Sequence, residues 1–113
     1  MNSSTVAHTG IPARILEAVR NAICGDDRVV RAVLFGSRAK GNWRDGSDID
    51  IAVVGRHLNA EDVWKWGELL DDETFPWSVD ILLISDQTDA ALVEHVERVG
   101  IELCDSGVHD AQT

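Results

Sequence analysis

Residues 36–50, Gly-Ser-Arg-Ala-Lys-Gly-Asn-Trp-Arg-Asp-Gly-Ser-Asp-Ile-Asp, lie between two apolar runs, Val-Val-Arg-Ala-Val-Leu-Phe (29–35) and Ile-Ala-Val-Val (51–54). Apolar runs of this length, rich in β-branched residues and broken by glycine, read as buried strands. The stretch between them is therefore a loop at one edge of a sheet, and it is full of chemistry. Gly36-Ser37 opens it. Gly36 lets backbone N–H groups approach an anion closely, and Ser37 adds a hydroxyl. Arg38, Lys40 and Arg44 are three of ten basic residues, gathered within seven positions of a chain whose formal net charge is −10. This local reversal of charge points to an anionic ligand beside the loop.

The loop closes on Asp48-Ile49-Asp50, at the start of the second strand. Alternate residues of a strand face the same way, so Asp48 and Asp50 present paired carboxylates. Paired carboxylates repel and lose solvation. A hard cation relieves both, and Mg²⁺ binds through one or two carboxylates plus phosphate oxygens. A third carboxylate, Asp80, interrupts a strand-like run, Trp-Ser-Val-Asp-Ile-Leu-Leu-Ile-Ser (77–85). A charge among such residues needs a partner. With this strand beside the second, Asp80 joins the pair, to hold a second metal or to accept a proton. Other motifs fit badly. No Lys-Ser/Thr follows Gly41, as a Walker loop requires. From Asp45 or Asp48, the glycine and terminal glutamate of an EF-hand are missing.

Gly36-Ser37, ten residues, then Asp48-Ile49-Asp50 resembles the signature of the nucleotidyltransferase superfamily that includes DNA polymerase beta. The fuller string GSRAKG…SDIDIAVV, with VDILLI downstream, is similar to its minimal (MNT) members, which pair with HEPN-domain toxins as antitoxins. The resemblance spans most of residues 12–104. It implies an α/β domain with a mixed three- to four-stranded sheet and flanking helices. It also implies Mg²⁺-dependent nucleotidyl transfer from a nucleoside triphosphate, with Asp48, Asp50 and Asp80 as catalytic metal ligands for two ions. Gly36 and Ser37 fall at the triphosphate, and Arg38 and Lys40 match basic positions of the family's loop. The expected reaction is transfer of AMP from ATP to a hydroxyl, a tyrosine of a HEPN-type ribonuclease toxin. Two alternatives stay open: an antitoxin that masks its toxin by binding alone, and an enzyme acting on a small hydroxyl compound.

A chain of 113 residues makes one domain, expected over 11–104 with polar tails at 1–10 and 105–113. The acidic balance argues against direct nucleic-acid binding, which needs a basic face. No apolar stretch reaches membrane-spanning length, and residues 1–10 do not read as a signal peptide, so the expected compartment is the cytoplasm. Cys24 and Cys104 form no metal-ligand spacing and are expected as free thiols of a reducing compartment. His8, His57, His95 and His109 are scattered and receive no role.

The remaining pattern supplies helices. Ile11, Ile15, Ala18, Val19, Ala22 and Ile23 mark the core face of a helix from Pro12 to Cys24. Asn59 caps a second, whose Val63, Trp66, Leu69 and Leu70 form an apolar stripe, with Trp64 off it as an exposed or interface residue. Phe75-Pro76-Trp77 reads as a turn with apolar anchors. Ser85 or Asp86 caps a third helix with Ala91, Leu92, Val96 and Val99 inward, and 101–104 reads as a last short strand. Trp43, in the basic loop, either stacks on a nucleotide base or lids the core edge.

Overall fold

The computed structural model describes residues 8–104. Its elements follow the order helix α1 (Ala13–Val19), a π-helical turn (Arg20–Cys24), strand β1 (Val29–Phe35), helix α2 (Gly36–Lys40), strand β2 (Ile49–Gly55), helix α3 (Ala60–Thr74), strand β3 (Val79–Leu83), helix α4 (Ala90–Val99) and strand β4 (Ile101–Glu102). The four strands form one mixed sheet in the order β3-β2-β1-β4. β1 runs antiparallel to β2 and β4, while β2 and β3 are parallel, joined by α3. This is the α/β architecture the sequence implies, at the four-stranded end of the expected range.

β1 and β2 are the central strands, and their near-continuous apolar composition reflects burial on both faces. Ile49, Ile51 and Val53 face a layer built from Ile11, Ile15, Leu16, Val19 and Ile23 around α1, with Trp66 and Leu70 of α3. The opposite face carries a smaller cluster in which Val96 of α4 covers Val33 and Ala52. Arg31 of β1 fastens that side, pairing with Glu97 of α4 and with Glu102 of β4.

α3 begins where Asn59 predicts. The Asn59 side chain accepts from the backbone N–H of Glu61 and Asp62, and Asp62 accepts from the Asn59 N–H, a complete capping box. Arg28, in the turn before β1, holds Asp62 at 2.7 Å and Asp26 at 2.8 Å. These bonds keep both carboxyls below their ordinary range.

Several expectations change. Helix α1 does not continue regularly to Cys24; its last turn is π-helical. Leu69, assigned to the core stripe, is 59% exposed, and Phe75, assigned as an anchor, is 75% exposed. Leu69 lies next to Leu70 and so turns about 100° off the buried line of Trp66 and Leu70. Ala91 is exposed as well, leaving Leu92, Val96 and Val99 to face inward. Ser85–Thr88 form a turn of their own, with the Ser85 N–H donating to Thr88 Oγ1, so α4 starts only after Asp89.

The cysteines also differ from expectation. Cys24 and Cys104 form a disulfide, with Cα atoms 5.6 Å apart across a sequence separation of 80. Nothing in their spacing signals this. The π-helical turn and the end of β4 bring them together, and the nearby Leu103 carbonyl accepts from Arg20 Nε at 2.8 Å. Finally, His8–Gly10, expected in the tail, pack against the body: Thr9 is fully buried. Residues 1–7 and 105–113 lie outside the described residues.

Candidate active site

β1 delivers the chain into Gly36 at the edge of the sheet where β2 and β3 begin. Gly36 has φ +77°, the left-handed region that favours glycine. A Cβ there would run into the Asp50 carboxylate. The turn and the carboxylate are therefore direct neighbours, and glycine is what lets them be so. Ser37 follows in the first turn of α2, half-buried, and Lys40 stands exposed in its last turn.

The three aspartates lie at the start of β2 and in β3. Asp50 and Asp80 are register partners across the parallel β2–β3 pair, so both side chains project from one face. Asp48 lies one residue ahead of β2 rather than within it. Asp50 is half-buried while Asp48 and Asp80 are exposed. Burial and then the charges of Asp80 and Asp48 push the Asp50 carboxyl above its ordinary range. A half-buried carboxylate whose ionisation is opposed by burial and by two neighbouring charges favours a cation beside it.

Among the described residues, no group of three or more His, Cys, Asp or Glu side chains already closes around a metal-sized point. Mg²⁺ does not require one, because it completes its octahedron with water and substrate phosphate oxygens rather than with a protein cage. The oxygen donors, the shared face of Asp50 and Asp80 and the glycine turn beside Asp50 suit such an ion.

Arg38 is placed differently from its neighbours. It is 1% exposed, and its guanidinium sits between two indoles, 4.6 Å from the ring centroids of both Trp43 and Trp77. Its Nη1 donates to the Thr9 carbonyl at 3.1 Å; Nε and Nη2 donate to the Ser47 carbonyl at 3.3 and 3.2 Å. Burial pulls this guanidinium below its ordinary range, against the charge of Asp45. Trp43 is thus a lid rather than a free stacking platform. Its Nε1 donates to the His8 carbonyl at 2.8 Å, and its ring lies against Gly10, where a Cβ would strike it. A cavity of about 430 Å³ opens beside this assembly, walled by Trp43, Trp77, Ser47 and Ser78. Trp77 and Thr9 carry no catalytic signature, and sequence reasoning assigned neither to the site. The only available hint was the presence of tryptophans in both segments flanking the carboxylates.

The chain belongs to the polymerase beta nucleotidyltransferase family, whose model matches residues 17–107. Among solved structures it is similar to a chain of a toxin–antitoxin complex with AMP-PNP, at 25% identity and a TM-score of 0.61, over 80% of this chain and 69% of that one. It is also similar in fold to a chain of the Shewanella oneidensis complex of a tri-AMPylated HEPN toxin with its MNT antitoxin. That match has 20% identity and a TM-score of 0.57, over 96% of this chain and 78% of that one. A MntA–HepT toxin–antitoxin complex matches at 21% identity and a TM-score of 0.59, over 79% of this chain and 68% of that one. No curated protein matches by sequence.

Proposed function

We propose that this protein is an AMP-transferring antitoxin: it moves AMP from ATP to a hydroxyl of a HEPN-type toxin, with Mg²⁺. The observation that carries the reading is the contact between Gly36 and the Asp50 carboxylate, with Asp80 in register beside it. It supports a site that handles phosphate and cation together. The similarity to a toxin–antitoxin chain solved with AMP-PNP supports the nucleotide and the partner.

In this reading the Gly36-Ser37 turn binds the triphosphate through backbone N–H groups and the Ser37 hydroxyl. Lys40, exposed at the end of α2, adds positive charge on the approach. Asp48, Asp50 and Asp80 would hold two Mg²⁺ ions, which supply charge stabilisation to the attacking and leaving oxygens. Asp80, exposed and in register with Asp50, accepts the proton of the acceptor hydroxyl. The hydroxyl oxygen bonds to the α-phosphorus, the bond between that phosphorus and the α–β bridging oxygen breaks, and pyrophosphate leaves. The acceptor hydroxyl is the phenol of a toxin tyrosine.

Labelled ATP tests this directly. Label on the α-phosphate is expected to appear on the HEPN toxin when Mg²⁺ is present, whereas label on the γ-phosphate is not. Transfer of the γ label instead would make the protein a kinase and overturn the reading.

A further inference from the structure

Asp48 presents a structural problem. It precedes β2, is exposed, and has no strand partner of its own. A carboxylate on a loose loop end makes a poor cation ligand, because its ordering must be supplied at the moment of binding. Yet both of its neighbours are pinned. On one side the Ser47 carbonyl accepts two bonds from Arg38, and Ser47 closes a turn with Arg44 through both its N–H and its hydroxyl. On the other side the Ile49 N–H donates to the Ser78 carbonyl at 2.8 Å. Ser78 stands two residues before Asp80, and its neighbour Trp77 is one of the two indoles that sandwich Arg38. A single buried guanidinium therefore touches the segment leading to Asp48, the segment leading to Asp80 and the N-terminal segment at Thr9.

We propose that Arg38 is a positioning residue for the carboxylates, fixing Asp48 relative to Asp50 and Asp80, and not a phosphate ligand. This rests on the nucleotidyl-transfer reading above. Its three nitrogens are committed to carbonyls of this chain, and its central carbon lies 4.6 Å from the rings of both Trp43 and Trp77. Among the described residues no carboxylate forms an ion pair with it. A planar fork that stacks on both faces and bonds along its edges is what arginine provides and lysine does not. A residue that holds the ligands of a cation in place tunes that cation without touching it.

The test is calorimetric binding of AMP-PNP to wild type and Arg38→Lys, once in EDTA and once across a Mg²⁺ titration. Lysine keeps the charge but loses the stack and the double bond to Ser47. The Mg²⁺ concentration for half-saturation should rise about 10- to 100-fold in the variant, the usual cost of losing a residue that orients metal ligands. Binding in EDTA should stay within about twofold. Trp77→Phe, which narrows one wall and leaves Arg38 in place, should shift the Mg²⁺ dependence the same way by less, and it carries the test if Arg38→Lys does not fold. An unchanged Mg²⁺ dependence overturns the proposal. So does an equal loss of affinity in EDTA, which would make Arg38 a phosphate ligand. Wild type that binds AMP-PNP without any help from Mg²⁺ overturns the nucleotidyl-transfer reading and this proposal with it.

Discussion

At Gly36 two penalties act on any side chain at once: the backbone lies at φ +77°, and the space a Cβ needs belongs to the Asp50 carboxylate. Left-handed backbone costs a non-glycine residue about 1–2 kcal/mol, and displacing Asp50 disturbs the reacting geometry. Gly36→Ala is expected to lower stability by about that amount and AMP transfer by at least about 100-fold, the scale set by a 1 Å misplacement. Thermal unfolding and a transfer assay check the two halves. Asp50 itself gives a prediction of opposite sign. Its carboxyl is raised by burial and by Asp80 and Asp48, so the folded state holds a proton that the unfolded state releases. Stability therefore falls as pH rises through that interval. Asp50→Asn should abolish transfer yet raise the Tm of the metal-free protein in EDTA at neutral pH. The gain should vanish as pH falls below the ordinary carboxyl range. A lower Tm at neutral pH would contradict this account of the site. The neighbourhood of Gly36, Asp50 and Asp80 was legible because the residue types and their spacing mark a turn between two strands and a third strand beside them. The environment of Arg38 was not, because stacking between Trp43 and Trp77 depends on segments brought together only by folding.

Among the elements, β1 and β2 were legible almost to the residue. Their apolar runs end where glycine and charge intervene. α3 was legible at its start for a local reason, the Asn59–Asp62 capping box. Asn59→Ala should cost about 1 kcal/mol, read as a shift in urea midpoint with the slope unchanged. The Arg28 pairs add a pH dependence opposite to that of Asp50. Asp26 and Asp62 lie below their ordinary range in the folded state, so their stabilisation is present at neutral pH and lost as pH falls through those lowered values. Helix ends and helix faces were less legible. Leu69 is as apolar as Leu70, and only the orientation of α3 on the sheet decides that one is 59% exposed and the other 1%. The late start of α4 follows from the Ser85–Thr88 turn, whose polar side chains compete for backbone bonds.

For the whole molecule, the family assignment and the mixed sheet agree with one reading, while the Cys24–Cys104 bridge adds a constraint that sequence concealed. It ties the end of the first helical segment to the end of the last strand. No local pattern announces a contact between residues so far apart in the chain. A crosslink closing a loop of this size stabilises chiefly by restricting the unfolded chain, by about 2–4 kcal/mol. Urea unfolding with and without reductant should show that difference, and Cys24→Ser should match the reduced protein. Equal midpoints would mean that the bridge contributes nothing to the fold. Among the described residues no helix is long and apolar enough to cross a membrane.

The central claim is transfer of AMP onto a protein partner, and intact mass spectrometry of the HEPN toxin tests it most directly. The toxin is incubated with this protein, ATP and Mg²⁺, with the Asp48→Ala, Asp50→Ala double variant as control. The account predicts a mass gain of one or more AMP units with the wild type and none with the variant. An unmodified toxin after incubation with the wild type, or an equal gain with the variant, would contradict it.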